Sequence, residues 1–217
     1  MILVPVKNLA NAKQRLASIL DQPSRTQLAQ AMLLDVLETL FAWKGRTDVA
    51  LVTSDPYATH LALQFGFEVI PDTANRSETD AIEMATAVCI QRGVESTLVI
   101  PGDIPLIRAN ELEAILQVAP KEGSVLAPAA DGRGTNAIFR RPAALFPLRF
   151  GNDSFKPHRA AAETTGKPCI VLELQGIALD VDNPSELRQL LAMPGETHAQ
   201  RLARNWDLSE LPLAANQ

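Results

Sequence analysis

Over its first 128 residues the chain alternates short, continuous apolar runs with longer segments whose apolar residues recur at helical spacing. The runs are Ile2–Val6, Asp48–Thr53, Phe67–Ile70, Thr97–Ile100 and the SVLAP segment at 124–128. They are too short for helices and lack the polar alternation of a half-exposed sheet, so they predict strands buried on both faces. Between them, Ser24–Trp43 follows Pro23 and carries Leu28, Met32, Val36, Leu37 and Leu40. Asp55 and Pro56 read as the cap and first residue of a second helix. Glu78–Arg92 reads as a third, closed by Gly93 at its C′ position, and Ala109–Val118 as a fourth. Strands joined by helical crossovers make a mostly parallel central sheet with helices on both faces, an α/β fold.

After residue 128 the pattern loosens. Gly132, Gly134 and Gly151 mark loops around a strand at Ala137–Arg140. Further strands are predicted at Cys169–Leu174 and Ile177–Val181, then a helix opening at Pro184. No repeat or linker divides the chain. A single domain over residues 1–193 is expected, followed by a docked tail or arm at 194–217. With 47% apolar residues among 217, the chain can bury a full core. Its net charge of −5 argues against broad nucleic-acid binding but permits a small basic pocket. Cys89 and Cys169 are far apart and read as free thiols of a reducing compartment. No stretch approaches the roughly 20 apolar residues that span a bilayer. These features predict a cytoplasmic protein without a membrane partner.

In an open parallel sheet, ligands collect beyond the carboxyl ends of the strands. Asp103 lies there, in VIPGDIPLI, stiffened by Pro101 and Pro105. Alone it reads better as the cap of a turn or of the next helix than as a ligand. IALDVDNPSEL adds Asp180 and Asp182, two positions that share one face of an extended chain. A helix-start acid would account for Asp182 but not for Asp180. Two such carboxylates repel unless a cation relieves them, and carboxylates with phosphate oxygens are what Mg²⁺ prefers. The expected site is Mg²⁺ held by Asp103, Asp180 and Asp182. The loop after the first strand, VPVKNLANAKQRL, offers Lys7, with Lys13 and Arg15 at an expected helix start. Three cations and exposed amides suit a triphosphate. Neither GxxxxGK[ST] nor GxGxxG occurs. Thr135 beside Gly134, and Gly151 with Ser154 before a helix, read as acceptors for phosphate or carboxylate. The histidines form no metal-ligand spacing, and His158 reads as a loop or ligand-contact residue rather than a base.

In this order, VPVKNLANAKQRL, VIPGDIPLI, GRGTNAIF, FGNDSFKPH and LDVDNPSEL resemble the 2-phospho-L-lactate guanylyltransferase family of coenzyme F420 biosynthesis, over roughly Ile2 to Leu190. That family includes phosphoenolpyruvate and 3-phosphoglycerate enzymes. The resemblance implies a GT-A-like, Rossmann-related nucleotidyltransferase fold and transfer of GMP from GTP to a phosphorylated three-carbon acid. It implies catalytic Asp103, Lys13 and Arg15, and nucleotide binding by Lys7, Lys13, Arg15 and Asp103. It implies Mg²⁺ on Asp103, Asp180 and Asp182, and phospho-acid contacts from Thr135, Gly151 and Ser154. A homodimer, and a downstream transferase that takes the product, are implied as well. The chain departs from the family pattern at Thr79-Asp80, where many members carry Leu-Asn, and at the extra acid Asp153. Two other readings share these features: a molybdenum-cofactor or sugar-phosphate nucleotidyltransferase on the same scaffold, and a non-catalytic GTP-binding module.

Overall fold

The computed structural model describes residues 1–45, 48–74, 76–151 and 153–206. Seven strands form one sheet in the order β3-β2-β1-β4-β6-β5-β7. They are β1 (Ile2–Val6), β2 (Val49–Thr53), β3 (Glu68–Pro71), β4 (Thr97–Val99), β5 (Gly123–Pro128), β6 (Thr135–Arg141) and β7 (Cys169–Val171). The helices are α1 (Gln22–Ala42), α2 (Pro56–Gln64), α3 (Glu78–Gln91), α4 (Ala109–Val118), α5 (Phe155–Thr164), α6 (Gln175–Ala178), α7 (Pro184–Ala192) and α8 (His198–Arg204).

The first four strands run parallel, with β1 flanked by β2 and β4. Successive β1 side chains serve opposite faces. Ile2, Val4 and Val6 pack with α1, and Leu3 packs with Ile82 and Ala85 of α3. This double burial is why these strands read as unbroken apolar runs. Asp55 caps α2 through the Ala58 amide, with Pro56 at its first position, and Gly93 takes φ +73° after α3, as the sequence predicts. β6 is the exception to the parallel pattern: it runs antiparallel to both β4 and β5.

Three expectations need correction. Ile177–Val181 is not a strand. Residues 175–178 form the short α6, whose carbonyls at Ile177 and Ala178 accept from the Asn136 side-chain amide at 3.0 and 3.1 Å. The Glu111 carboxylate accepts the Gly176 N–H at 2.7 Å, so side chains distant in sequence replace a strand ladder. The expected strand Cys169–Leu174 stops at Val171. Lys13 and Arg15 do not open an α-helix either; they sit at two 3-10 turns, Leu9–Asn11 and Gln14–Leu16, and α1 begins only at Gln22.

The first part of the expected tail is docked. The Asp35 carboxylate of α1 accepts the backbone N–H groups of His198 and Ala199 at 2.7 and 2.9 Å, fixing the start of α8. Ala199 and Ala203 are buried against the Leu28 and Met32 region of α1. Residues 207–217 of that tail lie outside the described residues. No described helix is long and apolar enough to cross a membrane.

Candidate active site

Because the chain leaves β1 for β2 and returns to β4 on the other side, a crevice opens beyond the carboxyl ends of β1 and β4. Two lobes fill it, of about 640 and 260 Å³, and Glu78, Pro101, Asp103 and Asp182 line both. A Cβ at Gly102, beside Asp103, would stand 3.1 Å from the Leu33 side chain of α1, a tight contact that glycine avoids.

The smaller lobe is walled by the loop after β1. Asn8 caps its first 3-10 turn, and Asp55 holds the Leu9 amide at 3.0 Å. Lys13 then turns the chain with φ +56°, a left-handed conformation that disfavours any residue but glycine. The fully buried Leu16 anchors the far end of the loop. This geometry drives the Lys13 ammonium between two of the expected metal ligands. Its Nζ lies 2.7 Å from Asp103 and 2.7 Å from Asp182. The Lys13 side chain is only 6% exposed. Burial alone would lower its pKa, but the charges of Asp103 and Asp182 outweigh it and hold the ammonium above the usual lysine value. Lys7 also lines this lobe and pairs with Asp72 at 2.7 Å, whereas Arg15 lines the larger one.

Asp180 and Asp182 reach the cleft without a strand. The backbone is extended at Leu179 and Asn183, and between the two acids the fully buried Val181 points into the core. The alternation of an extended chain therefore sends both carboxylates to the cleft side. The Val181 N–H donates to the Asp103 carbonyl at 3.2 Å, tying the two acidic segments together. Asp180 accepts from Asn136 Nδ2 at 2.9 Å. Burial, then the charge of Asp103, raises its pKa. Burial also acts on Asp182, yet Lys13 prevails and lowers its pKa. Asn183 and Glu186 close a capping box at the start of α7.

The three acids line one cleft, but they are not drawn together as tightly as a loaded metal site. Among the described residues, the group of His, Cys, Asp or Glu whose ligand atoms all lie within 4.8 Å of one another is Asp35, Glu38 and His198. That group is spent on α8: both Asp35 oxygens cap it, and His198 Nε2 meets Glu38 at 3.1 Å.

The larger lobe has a wall of hydroxyls. Thr135 begins β6, and Ser154 precedes α5. The Thr135 N–H donates to Ser154 Oγ at 3.1 Å, and the Phe155 N–H to the Arg133 carbonyl at 2.8 Å. Gly151 sits on the rim with φ +125° and nothing near its missing Cβ, so backbone conformation rather than space selects glycine. The extra acid Asp153 forms a two-point ion pair with Arg133, at 2.5 and 3.1 Å, on the exposed lip. At the position of the family departure, Thr79 Oγ1 accepts the Phe150 N–H at 2.9 Å, and Asp80 faces Arg76 on the surface.

Thus every residue expected at the site lines one lobe or the other. His158 does not: it belongs to α5, is 1% exposed and sits behind the wall. Sequence reasoning missed Glu78 and Asn136. Glu78 opens α3 between the lobes, where burial, then the charges of Asp103 and Asp182, push its pKa up to about 7. Its signal was the start of a helix after a strand's carboxyl end. Asn136 follows Thr135 in GRGTNAIF, but only an antiparallel β6 brings the beginning of that strand to the cleft.

The family model described as "Guanylyl transferase CofC like" matches residues 1–212. A phosphoenolpyruvate guanylyltransferase of Thermobaculum terrenum is 35% identical over 196 residues, covering 89% of this chain and 84% of that protein. A 2-phospho-L-lactate guanylyltransferase of Methanothermobacter thermautotrophicus is 31% identical over 202 residues, covering 93% and 88%. Among solved structures, a provisionally named nucleotide-diphospho-sugar transferase of Desulfovibrio desulfuricans G20 superposes with a TM-score of 0.76 at 17% identity, over 94% of this chain and 93% of that one. The CMP:2-keto-3-deoxy-manno-octonic acid synthetase complexed with CTP does so with 0.59 at 16% identity, over 88% and 96%. At such identities the structures speak to the fold, which is that of nucleotidyltransferases.

Proposed function

The chain belongs to the guanylyl transferase CofC-like family, and on that premise we propose that it moves GMP from GTP onto the phosphate of a phosphorylated three-carbon acid, releasing pyrophosphate. The observation that carries this reading is the shared wall of the two lobes. A basic lobe and a hydroxyl-lined lobe meet at Asp103 and Asp182, as the transfer of one group between two anions requires.

In this reading Lys7 and Lys13 of the smaller lobe, with Arg15 reaching in from the larger one, receive the triphosphate, and Thr135, Gly151 and Ser154 receive the phospho-acid. The acceptor phosphate has its second pKa near ~6, so it is largely dianionic at neutral pH and needs no general base. One of its oxygens attacks the α-phosphorus in line. A new P–O bond forms, the bond to the β-phosphate bridge breaks, and pyrophosphate leaves. The cations of the first loop neutralise the departing charge.

A divalent ion fits the acids. The Lys13 ammonium stands between Asp103 and Asp182, and this placement supports reading the two carboxylates as cation ligands. Asp103, Asp180 and Asp182 would hold Mg²⁺, which supplies further charge neutralisation at the reacting phosphates. The family relationship also supports a homodimer in the cytoplasm. The product carries an activated phosphoanhydride and would pass to a downstream transferase of coenzyme F420 synthesis.

The test sets GTP and Mg²⁺ against phosphoenolpyruvate, 2-phospholactate and 3-phosphoglycerate, with sugar phosphates beside them. Pyrophosphate release and a product of guanylylated phospho-acid mass are expected with at least one of the three acids. Release with sugar phosphates alone, or GTP binding with no turnover, overturns the reading.

A further inference from the structure

His158 does not line the cleft but packs directly behind Thr135 and Phe150, which do. Its ring is 1% exposed and meets the Phe150 ring edge-on at 5.2 Å. The Arg149 N–H donates to Nε2 at 2.8 Å. A nitrogen that accepts carries no proton, so in the neutral ring the proton is on Nδ1. Burial, then the charge of Arg140, lowers the His158 pKa to about 4 and keeps the ring neutral at ordinary pH. Nδ1 lies 3.0 Å from Thr135 Oγ1, so its N–H donates to that oxygen. Ser154 Oγ approaches the same oxygen as a donor at 3.4 Å. Thr135 Oγ1 is therefore supplied with protons from behind, and its own hydroxyl hydrogen is left for the lobe that Thr135 lines.

We propose that His158 is a positioning residue that aims the Thr135 hydroxyl as a donor into the acceptor lobe, toward an anionic oxygen of the phospho-acid. The inference rests on the reading that Thr135 contacts the acceptor. Without the imidazole the threonine can turn its hydrogen inward to satisfy the buried neighbour and present only a lone pair to an anion. The same ring, through Arg149, sets the loop that carries Gly151, so one buried side chain fixes two parts of the acceptor wall.

Asparagine and glutamine separate the two functions, because an Asn amide falls near the Nδ1 position and a Gln amide near Nε2. With the full chain, GTP and Mg²⁺, the His158→Gln variant should raise the acceptor KM on the order of tenfold with the GTP KM unchanged. His158→Asn keeps the donor to Thr135 and loses only the acceptor for the Arg149 N–H, so it should be impaired clearly less than His158→Gln. In a Thr135→Val background, His158→Gln should add nothing further. An Asn variant as impaired as the Gln variant, or effects that add in the double variant, overturns the proposal. If Thr135→Val raises the acceptor KM while His158→Gln does not, this inference alone fails. If Thr135→Val leaves the acceptor KM unchanged, the assignment of Thr135 fails first and takes this one with it. The unaltered protein gives a check that depends on no variant. A two-bond nitrogen–proton spectrum should show the Nδ1–H tautomer for His158, and an Nε2–H or doubly protonated ring overturns the proposal.

Discussion

The two walls of the cleft are made of different materials. The wall built by the loop after β1 is ionic: Lys13 is clamped by Asp103 and Asp182, and Lys7 by Asp72, each at 2.7 Å. The wall built by β6 and α5 is, behind its lip, a network of neutral hydroxyl, amide and imidazole groups among Thr135, Ser154 and His158. Charge attracts over distance but directs poorly, whereas a neutral hydrogen bond acts only at contact and fixes direction. A polyanionic donor is suited to the first and a small acceptor that must be aimed to the second. The Arg133–Asp153 ion pair of this second wall lies outside, on the exposed lip.

The contrast can be broken at several points. The largest effect is expected where the walls meet. Asp103→Asn should cut turnover by ~100-fold or more and, because it takes a charged partner from the buried Lys13 as Asp182→Asn does, should lower stability by only about 1–3 kcal/mol. Pyrophosphate release at saturating Mg²⁺ measures it, and near-parental turnover would remove Asp103 from the chemistry. Next come the two acids on either side of Val181. Asp182→Asn takes a charged partner from the buried Lys13 and should destabilise the ligand-free protein by about 1–3 kcal/mol. Asp180→Asn removes a carboxylate already disfavoured by burial and by Asp103, and should leave stability unchanged or slightly higher. Denaturant titrations of both variants decide it, and the opposite ranking would mean that Lys13 does not depend on Asp182.

The smallest effect belongs to Glu78. Its pKa rises from 4.5 to about 7 on folding, so the native state holds the proton more tightly than the unfolded chain. The cost of ionising it is absent below pH 4.5, grows between 4.5 and about 7, and is complete above that. Glu78→Gln should therefore melt with the parent near pH ~4 and a few degrees above it near pH ~8. A gap that is the same at both values would place Glu78 outside the charge cluster.

Much of this was legible because the parallel half is coded locally. β1 and β2 are buried on both faces and announce it by composition, and Asp55-Pro56 and Asn183-Pro184 announce their helices by cap chemistry. What was not legible is coded at a distance. Ile177–Val181 has the composition of a strand, but Glu111 and Asn136, 65 and 41 residues away from their partners, hold it otherwise. Lys13 adopts a left-handed turn that nothing in its neighbours demands; the two acids it meets lie 90 and 169 residues further on. The direction of β6 leaves no mark on its apolar pattern, since antiparallel and parallel strands alternate alike. That is why Thr135 was placed near an acceptor and the adjacent Asn136 was overlooked.

The strand order also bears on how such a chain is made. β5 is synthesised before β6 yet lies outside it, so β4 cannot be paired on its outer side until residues 135–141 exist. Until then the emerging chain carries β1 to β4 with the edge of β4 open as well as that of β3, a surface on which strands of other molecules can add. β5 and β6 pair with each other in register from Gly123–Arg141 to Pro128–Thr135, and can close as a hairpin before docking. Docking that hairpin on β4 moves the open edge out to β5, which β7 later covers, and in the same movement brings Thr135 and Asn136 to the cleft that Asp103 lines. A chain interrupted before Thr135 would keep its basic loop and Asp103 but lack both the second wall of the cleft and the cover over β4.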